Sequence, residues 1–383
     1  MLFPFESIRR LQAVHSLLLC AVVVSSACRD SAGRERAMVG DVLWRAEPGI
    51  EGPFEWFGIP AAAGDRVFMD VGNSIKAFES STGRELWSTA IRSDLAPETQ
   101  NLVVQSGVVI ASDMFAIVAL DQESGAIRWK VAPNDSIIQS YGVADAQAYY
   151  TGTRGAFVYA LQLSTGAKLW EVDLRTDWIS GNVIGFDVSG DTLAVSGIFR
   201  RDRLNLRPEA FVVALDRRDG RVFWRFESTT KQSGVYSAPL ITDRLVLLPD
   251  VLQKAMFALD RNTGQVRWTV PTDPAYGGPA DVPDVRDGVA YFGAHDKYVY
   301  AVDLETGSVK WKTRINSSVD QVVICGNYVF ASNQGANILD RATGRWVREV
   351  VAGDEDFLTS GWAVAGKRIF ASGMVAVYAL SCE

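Results

Sequence analysis

Along most of the chain, apolar residues come in short runs broken by Gly and Asp, as in Phe211-Val212-Val213 and Tyr298-Val299-Tyr300. Runs of this length, rich in β-branched and aromatic residues and bounded by turn formers, predict strands. No amphipathic helical stretch follows residue 40. A fixed punctuation accompanies the runs. Ala119-Leu120-Asp121, Ala214-Leu215-Asp216 and Ala258-Leu259-Asp260 each end one, with Ala301-Val302-Asp303 and Ile338-Leu339-Asp340 as variants and Glu79 or Gln162 in the Asp place elsewhere. Four residues after that place stands a Gly, and four after the Gly a Trp. The Asp side chain bonds backbone N–H groups of a turn and the Gly supplies the positive φ that closes it, so each copy predicts a β-hairpin.

Gly-x-x-x-Trp occurs at Gly40/Trp44, Gly83/Trp87, Gly125/Trp129, Gly166/Trp170, Gly220/Trp224, Gly264/Trp268 and Gly307/Trp311. An eighth copy at Gly344 carries Arg348 in the tryptophan place. Successive tryptophans are 43, 42, 41, 54, 44 and 43 residues apart, with 37 more to Arg348. Two further strands precede the hairpin in each unit, as in 234–241 and 245–249 of one copy. Four short antiparallel strands in about 40 residues is the signature of a propeller blade. The run Val375–Leu380 with Ser381 reads as a third strand without its partner, and Gly40–Trp44 as a fourth strand with nothing before it. Pairing them closes a ring of eight blades, seven being the alternative count, and removes exposed strand edges. The expected fold is an all-β eight-bladed propeller, one domain over residues 40–383.

Residues 1–27 read as an export signal: Arg9 and Arg10 precede an apolar run from Leu11 to Val24, too short to span a bilayer. Ser25-Ser26-Ala27-Cys28 admits two readings, a lipobox with diacylglycerol on Cys28 or ordinary cleavage after Ala27; Ser25 stands where a lipobox usually has Leu. Both export the protein, and residues 28–39 then form a flexible tether. The net charge of −7 implies no basic face for nucleic acid. Cys325 and Cys382 fall in loops of one propeller face, which permits a disulfide across the ring closure; two unpaired thiols are the other reading.

The segments Ala119–Trp129, Ala258–Trp268 and Ala301–Trp311 resemble the repeat of pyrroloquinoline-quinone-type propellers, Ala-Leu-Asp-x-x-Thr-Gly-x-x-x-Trp. That resemblance implies that Trp44, Trp87, Trp129, Trp170, Trp224, Trp268 and Trp311 dock neighbouring blades, which fits the large apolar area of an indole. Within the superfamily the exported chain, the lipobox-like Cys28 and the repeat array are similar to the BamB family, lipoproteins of the outer-membrane β-barrel assembly machinery. Also similar is the stretch Pro60–Val67 running on to Thr82–Trp87. The resemblance implies a non-catalytic scaffold on the periplasmic side of the outer membrane, meeting a barrel-assembly protein or another envelope protein. Members meet that partner through Leu-x-Leu-Arg-Gly-x-Ser-Ala-Pro; this chain has Ser237-Ala238-Pro239 preceded by Lys231-Gln232-Ser233-Gly234-Val235-Tyr236.

Chemistry is scarce in the residues. His15 lies in the signal and His295 is a lone loop histidine, so no His/Cys cluster has metal-ligand spacing and no Ser-His-Asp order can be assembled, while carboxylate and Asn groupings suited to calcium could still come together from different blades. The recurring aspartates share one turn-capping place, the bland reading of them. A quinoprotein oxidoreductase using pyrroloquinoline quinone with calcium is the alternative, without the adjacent cysteine pair such enzymes commonly carry; a binder of a small ligand at the channel is another. The 54-residue step places its excess at 198–208, between second and third strands, where Arg200, Arg201, Arg203 and Arg207 flank Leu204 and Leu206. With Lys231 and Tyr236 on the same face one blade on, this loop predicts a docking surface for an acidic partner, a solvated loop being the alternative. Trp56 and Trp362 read as core, and Trp178 as an exposed residue between blades.

Overall fold

The computed structural model describes residues 37–49, 58–91, 102–113, 115–132, 138–152, 156–201, 208–228, 234–279, 281–332, 335–350, 358, 361–373 and 376–383. Over residues 38–383 it shows eight four-stranded antiparallel sheets, seven of them simple meanders. Blades 1 to 7 occupy 61–90, 103–131, 138–173, 180–227, 240–271, 284–314 and 321–350. Blade 8 takes three strands from 362–381 and its fourth, Val42–Ala46, from the other end of the propeller. The closing pair runs Val42↔Leu380, Trp44↔Ala379, Arg45↔Tyr378 and Ala46↔Val377.

Position within the blade explains the burial patterns. Second and third strands meet neighbouring blades on both faces, so they read as continuous apolar runs; Leu245–Asp250 is buried throughout. Fourth strands lie outermost and alternate, as in Val266–Pro271, where Trp268 and Val270 are buried between exposed residues.

The tryptophans make one contact seven times over. Each indole Nε1 donates to the backbone carbonyl just after the aspartate place of the next blade. Trp44 reaches Ser80 (2.9 Å), Trp87 Gln122 (3.2 Å), Trp129 Leu163 (2.7 Å), Trp170 Arg217 (3.1 Å), Trp224 Arg261 (2.6 Å), Trp268 Leu304 (2.9 Å) and Trp311 Arg341 (3.1 Å). The glycine of that turn covers the ring. At Gly264 φ is +72° and an added Cβ would sit 2.4 Å from the Trp224 ring, so glycine is needed for both backbone and space. The turn itself is capped as expected: Asp260 Oδ1 accepts from the N–H groups of Asn262 and Thr263 (3.0 Å each). The hydroxyls of Thr306 and Thr343 hold the Asp303 and Asp340 carboxyls below the usual aspartate range.

Two expectations change. The first strand of blade 5, expected over 234–241, is confined to Leu240–Ile241. Pro239 has no N–H to give a ladder, and the Gly234 N–H is taken by Asp250 Oδ1 (3.0 Å). Cys325 ends the first strand of blade 7 rather than lying in the turn after it, and a disulfide joins it to Cys382 with the Cα atoms 5.6 Å apart.

Replacing Trp129 with Ala empties a buried site and removes a bond to the next blade. Truncation of this kind costs about 3–5 kcal/mol, and Gly166→Ala, which drives a Cβ to 2.9 Å from the same ring, should also destabilise. Urea unfolding of both variants checks this; an unchanged midpoint for Trp129→Ala would deny the indole its role at the joint.

Candidate functional site

Turns between second and third strands share a face with the connections between blades, and blade 4 is built up on that side. Its first three strands, Ser180–Ser189, Thr192–Arg200 and Glu209–Asp216, are 10, 9 and 8 residues long. Part of the excess in the long repeat step is therefore strand: Ile198, Phe199 and Arg200 pair with Asn182, Gly181 and Ser180. The extension has its own core. Trp178, expected exposed, is buried; it stacks on Phe199 at 4.6 Å between centroids and lies 4.7 Å from Phe211. Its Nε1 donates to Glu227 Oε1 (3.2 Å), and the Arg225 guanidinium lies 5.5 Å over its ring. Lengthened strands give this indole a surface to cover that the sequence spacing does not reveal.

The same network takes Arg201 out of the expected basic patch. Its guanidinium lies 4.6 Å over Phe199 and pairs with Asp177 (3.0 Å), Glu209 (3.1 Å) and Glu227. Three carboxylates satisfy this cation, so it is a brace of the blade. Arg200, exposed, lines a cavity of about 170 Å³ with Ser180, Asn182, Ile198 and Pro208. Arg203, Leu204, Leu206, Arg207, Lys231 and Cys28 lie outside the described residues.

One blade on, Tyr236 is 56% exposed and Leu252 40%. The two approach each other above Gly234: a Cβ there would be 2.7 Å from Leu252 Cδ1 and 3.1 Å from Tyr236 Cε2. Tyr276, 49% exposed, follows on the next connection. Its neighbour Gly278 packs against the backbone of Val251 and Lys254, in the turn that carries Leu252. Tyr236 and Leu252 thus stand side by side, and Tyr276 extends this exposed apolar ridge of blade 5 from the adjoining loop. Sequence reasoning named only the first, because Leu252 and Tyr276 belong to no repeat position.

The inner strands of blades 5 to 7 line a second cavity of about 750 Å³, whose wall includes Thr242, Arg244, Asp284, Glu305 and Gln321. Here carboxylates tie inner strands together: Asp284 Oδ2 accepts from Ile324 N (2.8 Å) and Asp187 Oδ2 from Ile241 N (2.7 Å). Burial pushes both carboxyls up. Gln321 Oε1 does the same work at the next joint, accepting from Gly361 N (3.1 Å) and Trp362 N (2.7 Å). These cross-blade acceptors also went unnoticed in the sequence, since they recur at three joints and in no fixed motif. Among the described residues no group of three His, Cys, Asp or Glu side chains is placed to hold a metal ion. His295 lies away from this cavity, in the turn between second and third strands of blade 6, where its backbone N–H donates to the Gly278 carbonyl (3.1 Å).

The model of the family described as outer membrane protein assembly factor BamB matches residues 36–154 and 154–381. Among curated relatives, the outer membrane protein assembly factor BamB of Yersinia pestis is 27% identical over 232 residues, 55% of this chain and 57% of that protein. The protein of the same name from Burkholderia pseudomallei is 24% identical over 392 residues, 93% of each. The crystal structure of BamB from Moraxella catarrhalis superposes with a TM-score of 0.68 at 14% identity, covering 90% of this chain and 100% of that one. At that identity the superposition bears on the fold.

Asp284 offers a test of the inner-strand ties by pH. A carboxyl raised by burial favours folding most below its unfolded value, near 3.8, and that contribution is lost as pH climbs through the raised folded value. Asp284→Asn keeps an oxygen for the Ile324 N–H and cannot ionise. Urea midpoints from pH 4 to 8 should fall less for the variant than for the parent, with the variant at least as stable at pH 7. A steeper fall in the variant would refute the assignment.

Proposed function

The chain belongs to the family of the outer membrane protein assembly factor BamB, and from that premise we propose that it is a non-catalytic scaffold of the cell envelope. In this reading it supports the assembly of outer-membrane β-barrel proteins by protein–protein contacts. The observation that carries the proposal is that the family model spans essentially the whole ring of blades. The binding surface is the ridge of Tyr236, Leu252 and Tyr276 together with exposed Arg200 on the neighbouring blade. Aromatic anchors beside a cation suit a partner that offers an apolar groove with an acidic rim. Arg203, Leu204, Leu206, Arg207 and Lys231 are assigned to the same surface on the strength of their sequence positions.

Location follows from the same premise. Export through residues 1–27, a tether from residue 28 to the ring, which begins at Met38 with Val39 buried rather than at residue 40, and lipid on Cys28 would hold the ring at the periplasmic side of the outer membrane. Arg29 after that cysteine leans the same way, because Asp in its place would signal retention at the inner membrane. The 750 Å³ cavity favours one second reading, a small ligand held by the inner strands. Ligand-dependent stabilisation without any protein partner would distinguish it.

The test is recovery of the full-length protein from crosslinked native envelopes, with mass spectrometry of what accompanies it. A barrel-assembly protein should dominate. Replacing Arg200, Tyr236 and Leu252 with Ser should lower its recovery at least about tenfold, with the thermal midpoint moved by less than about 2 °C because all three are exposed. Undiminished recovery would move the docking surface elsewhere, and recovery of no envelope protein would end the scaffold reading.

A further inference from the structure

Seven of the eight joints carry a tryptophan; the joint between blades 7 and 8 carries Arg348. The turn it faces is also unlike the others, because it is assembled from two separate stretches of chain. Gly40 N donates to Ser381 O (2.7 Å) and Ser381 N to Asp41 O (2.8 Å). The uninterrupted turn of blade 5 makes the same pair of bonds, Gly264 N to Asp260 O (2.8 Å) and Asp260 N to Gln265 O (2.7 Å). Gly40 has φ +84° and stands where Gly264 stands, over Ile338, Val350 and Arg348 instead of an indole.

Arg348 Nη1 donates to Val39 O (3.2 Å) and Asp41 Oδ1 (2.9 Å), which ties down one half of the split turn. Both partners of that ion pair are 35% exposed at the side chain, a setting in which ion pairs contribute little. The other half is held differently. Cys382 follows the aspartate place of blade 8, the position of Arg217 in blade 4 and Arg341 in blade 7. Those two arginines reach back to the turn between first and second strands of the preceding blade, pairing with Asp145 and with Asp287. At the closing joint the buried Cys325–Cys382 disulfide takes the place of that ion pair. A covalent link therefore stands where both the wedge and the turn's chain continuity are missing.

We propose that this joint is a redox-controlled seam. Oxidised, the disulfide locks the split turn; reduced, the turn of 38–42 with 380–382 comes apart while the blades stay docked. The apolar cluster across the joint contains both cysteines, but its other members, including Val323, Ile338, Trp362 and Tyr378, pack without needing the S–S bond and keep blade 8 seated. Trp44, on the far side of the released segment, remains bonded to blade 1. The reductant is a protein dithiol. One thiolate attacks a cysteine sulfur and expels the other as thiolate. The second thiol then resolves the mixed disulfide, so that two electrons and two protons reach Cys325 and Cys382 and the dithiol becomes a disulfide. This inference stands apart from the scaffold reading and survives its failure.

Hydrogen exchange with mass spectrometry, on the full chain oxidised and after dithiothreitol, tests the seam. Reduction should speed exchange at least about tenfold in peptides covering Gly40, Ser381 and Cys382. The matching amides of blade 5, Asp260 and Gly264, serve as internal reference and should not change. Arg348→Trp supplies the missing wedge beneath Gly40 and should restore slow exchange in the reduced protein. No change on reduction, a change spread equally over the other blades, or a local change that Arg348→Trp leaves in place would each overturn the proposal.

Discussion

Everything in this molecule hangs on an indole that is shared between two blades. Its ring fills the gap against the next blade and its one N–H is spent on that blade's turn, so apolar burial and a directional bond act at the same point. The bond also fixes the turn, since only glycine can cover the ring at positive φ. Each repeat is thereby completed by its neighbour, and a blade on its own would expose the strands that now lie buried on both sides.

Stiffness is concentrated on the side of the hairpin turns. There, besides the indole bonds, ion pairs cross from blade to blade: Arg66 to Glu123, Arg217 to Asp145, Arg244 to Glu305 and Arg341 to Asp287. Each is partly solvated and adds little alone, yet together they lie on one side of the ring. The opposite side carries Tyr236, Leu252, Tyr276 and Arg200 without such cross-ties among the described residues. A ring braced on one side can leave its other loops free to vary, the arrangement in which loops acquire binding roles.

Fold and blade count were legible because the tryptophan, glycine and aspartate serve one geometry repeated at constant spacing. What spacing cannot carry was misread or missed. Trp178 looked exposed because it falls off the repeat; the long strands of blade 4 bury it, and that lengthening shows only in the register of Asn182 with Ile198. Arg201 looked like part of a basic loop because its acidic partners, Glu209 and Glu227, sit on other strands of the blade. Leu252 and Tyr276 are separated in sequence, and only the backbone contact of Gly278 with Val251 and Lys254 brings the loops that carry them together. Asp187 and Asp284 belong to no repeat motif, and their role depends on an N–H from a different blade.

The eight outer strands each present a sheet edge, a template on which another chain could pair. Apolar residues do stand on them, Ile127, Val222, Val266 and Val309 among those well exposed. Next along three of these strands come cations, Arg128, Arg267 and Lys310, each beside its tryptophan. They turn back to the aspartate of their own hairpin, with Arg128 2.6 Å from Asp121 and Lys310 3.1 Å from Asp303. One aspartate thus caps the turn and anchors a basic side chain at the strand edge, where a charge opposes the approach of a second strand. The register shift in the same hairpin, between Ala119 and Leu120 or Ala301 and Val302, breaks the regular ladder that an added strand would need. Edges guarded in this way resist the pairing that an open row of N–H and C=O groups would otherwise invite.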